Sequence, residues 1–254
     1  KTYIFIFHFL SIFILTFTPG NTDVYQNYFE ETTDLKHFGY FILMLGLRSY
    51  DSINRSVQME RLEKSVRYSI SRSILYEENG ILIILVRGYR KNEIRQWLQE
   101  LYEKEEALCA GMGSVVQRIC DVHRSYREAG KSYQLAKSTG LGEIQDYDEL
   151  GIYKILSDIK EPFLYPEFVE ETLGPLLRYD EENGTNYVKI LETYFENECN
   201  GIQTASSLFF HKNTMTYKLN KIKEILGYDI LTNKNRVKIM VSLYIIRMGM
   251  DFFH

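Results

Sequence analysis

The sequence predicts an α+β protein in two parts: a mixed β-sheet domain with packed helices over residues 38–148, and an all-helical domain over residues 149–254. Three observations predict this division. Apolar runs of strand length alternate with helical patterns as far as Tyr147, the Asn79-Gly80 pair is typical of a hairpin, and strand patterns disappear from Leu150 onward. The ordinary composition, 45% hydrophobic and 25% charged with only 4 Pro, excludes a disordered or low-complexity chain.

Residues 1–37 are assigned to neither domain. The chain begins with Lys rather than Met, and residues 2–18 form an apolar run that ends before Pro19-Gly20. This length is at the lower edge for a membrane span, and His8 and Ser11 interrupt the run. We favour a truncated upstream module or an artefact of the chain start, in a cytoplasmic protein. A signal or transmembrane segment, and hence a membrane-tethered protein, is the alternative.

The elements of the sheet domain follow the order β-α-β-β-α-β-α-β. The near-continuous apolar run Phe38–Leu47 predicts a first strand buried on both faces. The Asn79-Gly80 turn joins the second and third strands as a hairpin, and Gly140 ends the last helix. The later strands are predicted at 71–76, 81–86, 107–112 and 144–147, and the helices near 57–70, 94–101 and 121–139.

The helical domain contains a pair of helices over residues 200–227 that are joined by a short turn, Phe210-His211. Helical spacing predicts that the first helix buries one face and that the second buries a narrow stripe ending before Gly227. The predicted buried residues are Ile202, Ala205, Leu208 and Phe209 on the first helix and Met215, Leu219, Ile222 and Leu226 on the second. Earlier helices are expected at 151–157, 167–177 and 187–195.

The opposite face of the second helix presents hydrogen-bonding side chains, namely Asn213, Tyr217, Asn220 and Lys221 with Thr214 and Thr216 beside them. Between Asn200 and Lys238 the chain has seven Lys or Arg and two acidic residues, which leaves +5 locally on a chain of net charge −4. A basic helical module in an acidic protein is typical of phosphate binding. The alternative is an amphipathic helix pair with a solvated lysine face.

Residues 200–227 also resemble the helix-turn-helix that closes PucR/CdaR-type bacterial transcription regulators. The run His211-Lys-Asn-Thr-Met-Thr-Tyr-Lys-Leu219 is similar to that family's usual pattern, with Lys212 and Lys218 where Arg is common. Blocks at 171–180, 184–185, 191–195, 222–227 and 235–237 extend the resemblance. It implies contacts to double-stranded DNA, for which we choose Thr204, His211, Lys212, Asn213, Thr214, Thr216, Tyr217, Lys218, Asn220 and Lys221.

The middle of the chain resembles the degenerate GGDEF-like domain of the same regulators. Gly111-Met-Gly113, Arg124–Ala129, Ala136-Lys137 and Gly140 carry the likeness. Catalytic relatives need paired glycines and acidic residues at the central hairpin, where this chain has Glu77-Glu-Asn-Gly-Ile81. We therefore expect no enzyme activity and interpret Glu77 and Glu78 as solvated turn charges. A nucleotide-binding or cyclic-dinucleotide-synthesising enzyme is the competing class.

Neither a metal site nor a cofactor site is predicted. Cys120 and His123 share a helix face without further ligands, and Gly111-Met-Gly113 lacks the remaining residues of a dinucleotide fingerprint. The resemblance implies a dimer controlled by a small-molecule effector that we do not identify. A homodimer is also expected because one recognition helix reads only a few base pairs. The helix Val237–Met248 and the tail that follows it are candidates for the dimer surface or for intramolecular core.

Overall fold

The computed structural model describes residues 39–48, 52–70, 73–104, 107–138, 141–161 and 163–249. These residues fall into two compact units that divide between Ser157 and Asp158. The apolar run at residues 2–18, with the interpretations it leaves open, lies outside the described residues. Among the described helices, none combines the length and the apolar character that crossing a membrane requires.

The described part of the first unit confirms the predicted order of strands and helices, and it includes the helix expected at 151–157. Its elements are β1 Tyr40–Leu47, α1 Ser52–Ser69, β2 Ile74–Glu78, β3 Ile81–Arg87, α2 Lys91–Tyr102, β4 Leu108–Met112, α3 Val122–Lys137, β5 Ile144–Asp146 and α4 Tyr153–Leu156. Single 3₁₀ turns at Ile119–Asp121 and Tyr147–Glu149 precede α3 and follow β5.

The five strands form one mixed sheet in the order β2-β3-β1-β4-β5. The first four pair antiparallel, with Leu43 of β1 opposite Ile84 on one side and Met112 on the other, and β5 runs parallel to β4. Strand β1 is buried on both faces, as its apolar run predicts: alternate residues enter two separate hydrophobic clusters, one with α1 and α2 and the other with α3. The sheet is therefore covered by helices on both sides.

Glycines let α3 lie directly on β4. A Cβ added at Gly111 would lie 2.2 Å from the backbone nitrogen of Tyr133, and one added at Gly113 would lie 2.1 Å from the carbonyl oxygen of Ser125. Both distances are far below van der Waals contact. Close helix–strand packing therefore accounts for the Gly111-Met-Gly113 pattern without any phosphate ligand.

The described second unit is all-helical. Its elements are α5 Leu164–Asn183, α6 Tyr187–Glu196, α7 Gly201–Ser207, α8 Lys212–Leu226 and α9 Asn233–Arg247. They share one hydrophobic cluster to which every helix contributes, including Leu173, Ile190, Met215 and Ile239. Most of the apolar side of α9 is therefore intramolecular core, while Val237 is exposed.

Candidate nucleic-acid interface

Helix α7 begins at a side-chain cap and buries a narrow face. The Asn200 carboxamide oxygen accepts hydrogen bonds from the backbone N–H groups of Ile202 and Gln203, both at 3.1 Å, which satisfies two donors of the first turn. Thr204 and Ala205 are buried, and the Thr204 hydroxyl donates to the carbonyl of Asn200 at 2.8 Å. The side chain of Thr204, one of the predicted DNA contacts, therefore lies in the core with its hydroxyl bonded to the backbone.

The predicted buried face of α7 is partly wrong. Ala205 is buried and Leu208 is half-buried, but Ile202 is 66% exposed and Phe209 is 97% exposed. Once its hydroxyl is bonded to the backbone, Thr204 can enter the core. The buried side of the helix is then centred between Thr204 and Leu208, and Ile202 and Phe209 are left at the solvent edge.

A tight turn connects α7 to α8. The N–H of Phe210 donates to the carbonyl of Ala205 at 2.8 Å, while Phe209 adopts a left-handed backbone with φ of 55°. His211 then caps α8, since its Nδ1 accepts from the N–H of Asn213 at 3.4 Å. Phe210 packs partly buried against the core cluster.

The core side of α8 agrees with the prediction. Met215, Ile222 and Leu226 are buried and Leu219 packs partly buried against the same cluster. The helix ends at Gly227, which has φ of 72° and donates to the carbonyl of Lys223. These contacts fix the rotation of α8 and therefore which residues it turns outward.

The outer face of α8 is polar. His211, Lys212, Asn213, Thr214, Thr216 and Asn220 are exposed, and Tyr217 is 65% exposed. Thr216 donates its hydroxyl proton to the carbonyl of Lys212 at 3.1 Å, which leaves its oxygen as an acceptor. From Cys199 to Lys223 the sequence contains no acidic residue. We call these seven outward residues the α8 face.

The other two lysines among the predicted DNA contacts, Lys218 and Lys221, lie at the margin of the α8 face. The Nζ of Lys218 lies 4.9 Å from the ring centroid of Tyr187 and 5.2 Å from that of Phe210, so it packs over aromatic rings. The Nζ of Lys221 donates to Glu224 at 2.9 Å, and this hydrogen bond raises the pKa of the Lys221 ammonium. Lys212 has neither kind of partner among the described residues.

The cations of α9 contribute to the local charge of residues 200–238, but they are not among the predicted DNA contacts. Helix α9 begins after Thr232, whose hydroxyl accepts from the N–H of Asn235, and its first turn has no acidic residue. Lys234 is exposed and Arg236 is half-buried near this end of the helix. Their position at a helix N-terminus, where cations are disfavoured, is the pattern that could have identified them.

The central hairpin of the sheet unit has Glu77-Glu-Asn-Gly-Ile81 where the competing enzyme class needs paired glycines. Asn79 and Gly80 have φ of 52° and 74° and form the predicted tight turn, in which Glu77 accepts from the N–H of Gly80 at 3.0 Å. Glu77 and Glu78 are exposed. His123 contacts the carbonyl of Cys120 through Nδ1 at 2.9 Å, and no cluster of metal-ligating residues occurs among the described residues.

Two helices, a tight turn and an exposed basic second helix define a helix-turn-helix module, the class of protein that reads duplex DNA. Residues 187–245 match the PucR C-terminal helix-turn-helix domain, and residues 36–135 match the GGDEF-like domain. The chain therefore has the two-domain architecture of PucR/CdaR-type transcriptional regulators, as the sequence resemblance implied.

Curated relatives are transcriptional regulators rather than enzymes. The chain is 26% identical over 186 residues to the proline-responsive transcriptional activator PutR of Bacillus subtilis, which covers 68% of this chain and 45% of that protein. It is 29% identical over 158 residues to the DNA-binding transcriptional activator AdeR of the same organism, covering 60% and 36%. The purine catabolism regulatory protein of Bacillus subtilis is 26% identical over 144 residues, covering 54% and 26%. The chain thus spans less than half the length of these relatives.

Proposed function

We propose that the helical unit binds operator DNA with the α8 face in the major groove. The observation that carries this proposal is the composition of that face: hydrogen-bonding side chains and a Lys212 that has no carboxylate partner among the described residues, in a stretch without acidic residues. Acidic side chains would be repelled by phosphates, and neutral amides and hydroxyls are the groups that read base edges.

The side chains divide by chemistry into base readers and phosphate binders. Asn213 can donate and accept together, which suits the paired N6 and N7 atoms of adenine. Lys212 and Lys221 are suited to phosphates, with Lys221 partly neutralised by Glu224. Lys218 and Thr204 take no direct role, since one packs over aromatic rings and the other lies in the core.

The active species is a homodimer in the cytoplasm, under the control of a small-molecule effector. One recognition helix contacts only a few base pairs, each contributing about 1–3 kcal/mol, which is too little to select one site in a genome. Two-fold symmetry doubles the contacts and places two α8 helices about 34 Å apart. PutR is described as proline-responsive; the effector of this chain is open, and no cofactor is required.

The test is selection of duplexes from a random-sequence pool by the full chain, followed by mobility shifts on the selected duplex. Asn213→Ala should weaken binding to that duplex by about 1–3 kcal/mol and change binding to random duplex little. Asn235→Ala is the control because the Asn235 amide is bonded to the carbonyl of Asp229. Failure to enrich any duplex, or an equal loss on selected and random DNA, would contradict base reading by α8.

A further inference from the structure

Phe209 combines two features that both act against stability. Its ring is 97% exposed, and its backbone lies in the left-handed region with φ of 55°. An aromatic ring in water gains nothing from burial, and a bulky L residue with positive φ is a steric outlier. Nothing in the fold of this unit therefore requires a phenylalanine at this position.

Two other helices of the same unit end at a glycine with positive φ, whereas α6 is followed by Glu198 and Cys199, which have φ of 53° and 63°. Helices α5 and α8 end at Gly184 and Gly227, which have φ of 60° and 72°, and a Cβ added at either glycine would meet no heavy atom within 4 Å. Glycine is the usual residue where a helix ends in a left-handed conformation. The N–H of Phe210 bonded to the carbonyl of Ala205 shows that Phe209 occupies this kind of position at the end of α7.

The position of Phe209 in the chain limits its distance from the α8 face. Phe209 and Lys212 are three positions apart in the sequence, so their Cα atoms are at most about 11 Å apart. This is about the width of the major groove. The residues that follow, His211 to Thr214, are all exposed and include no acid. Anything that covers the α8 face therefore also lies within reach of the Phe209 ring.

We propose that Phe209 is an apolar specificity contact to DNA, whose ring packs on the methyl group of a thymine at the edge of the sequence read by α8. This proposal rests on the proposed function of the helical unit. Phenylalanine contacts to the thymine methyl group are a recognised form of base readout, and they carry no charge. The contact consequently adds sequence preference without adding salt dependence.

The experiment uses the full chain and the duplex that the wild-type chain selects from a random pool. Phe209→Gly suits the backbone conformation, and Phe209→Asn is a second variant that also accepts positive φ. Burial of about 55 Å² of ring area corresponds to about a tenfold change in affinity. We expect both variants to lose about tenfold per protomer on the selected duplex, or about 100-fold for the proposed dimer, with an unchanged salt slope and a melting temperature no lower than that of the wild type.

Replacing each thymine in turn by uracil removes single methyl groups from the same duplex. One such replacement should weaken the wild-type chain and leave Phe209→Gly unaffected, since the contact is already lost. Ile202→Ser is the matched control: it removes the other exposed apolar side chain of α7, about 10 Å away along the helix, and should not reproduce this pattern.

Three results would overturn the proposal. Full affinity of both Phe209 variants, or uracil effects identical in wild type and variant, would show that the ring does not touch a thymine methyl. Equal losses of affinity in the Phe209 and Ile202 variants, together with a smaller sedimenting species, would show that these two residues lie in a contact between protein chains. A wild-type chain that selects no duplex would refute the proposed function as well, whereas selective binding that survives Phe209→Gly refutes only this contact.

Discussion

Lys212→Gln offers the most direct measurement of how the proposed interface works. Lys212 is exposed in the first turn of α8, and that turn has no acidic residue. A cation at a helix N-terminus is destabilising by about 0.3–1 kcal/mol, so removing its charge should not unfold the unit. Any loss of binding can then be assigned to a missing DNA contact rather than to loss of structure.

The magnitude follows from counterion release. Each neutralised phosphate contributes about 0.9 to the slope of log K against log salt, so a dimer with two copies of Lys212 should lose about 1.8. Between about 50 and about 200 mM salt, this difference makes the affinity of the variant fall about 12-fold less than that of the wild type. The assay is a salt series of mobility shifts or fluorescence anisotropy on the selected duplex.

The control for this change is Lys64→Gln. Lys64 lies on α1 of the other unit and pairs with Glu60 at 2.6 Å, so its replacement should leave the salt slope unchanged. An unchanged slope for Lys212→Gln would refute its phosphate contact. A loss of only about 0.9 would show that a single copy engages the DNA, which would contradict the dimer.

Three further predictions concern the framework. Gly111→Ala should destabilise the sheet unit by about 3 kcal/mol in urea titrations, because its Cβ would meet the backbone of Tyr133. Tyr228→Phe should cost about 1 kcal/mol through the lost hydrogen bond to the carbonyl of Thr172. Burial raises the pKa of Tyr228 to about 12, so the wild type should lose stability relative to this variant as pH rises from 10 to 12. Asp146→Asn should cost about 1.5–3 kcal/mol in urea titrations, because Lys91 and Arg95 lose their shared buried carboxylate while they keep Asp148 and Glu149 as partners.

Each of these framework predictions has a contradicting result. Wild-type stability of Gly111→Ala would mean that α3 can shift away from β4 at little cost. Parallel pH profiles for wild type and Tyr228→Phe would show that the tyrosine titrates equally in the folded and unfolded states. A stable Asp146→Asn variant would show that water or other carboxylates replace its pairing with Lys91 and Arg95.

The sheet unit could be predicted in element order because its strands are marked locally. The run around Phe41–Leu45 is long enough for a strand buried on both faces, and Asn79-Gly80 has few uses other than a tight hairpin turn. What the sequence does not reveal is why Gly111 and Gly113 are glycines. Glycine is needed there because the backbone of α3 packs directly against both positions. Helix α3 begins nine residues beyond Gly113, and only the fold brings it against them.

The candidate site was predictable on α8 and less so on α7. Helical spacing alone orients α8, because Met215, Ile222 and Leu226 form one clear stripe. On α7 a polar residue, Thr204, enters the core by bonding its hydroxyl to a backbone carbonyl, and a polarity pattern cannot represent that hydrogen bond. The side chain of Lys218 is likewise positioned by the ring of Tyr187, thirty-one residues earlier in the sequence.

Several side chains between Phe209 and Lys234 depart from local stability rules, and these departures have a common consequence. Three described cations in the first turns of other helices are paired with carboxylates: Lys91 with Asp146, Arg124 with Glu128, and Lys189 with Glu192. Lys212 and Lys234, at the starts of α8 and α9, have no such partner among the described residues. Phe209, which is exposed and has positive φ, lies in the same matched helix-turn-helix domain. This domain therefore presents two cations without carboxylate partners among the described residues and one exposed apolar ring. Groups that the fold leaves without partners are available to a ligand, which is what a binding surface requires.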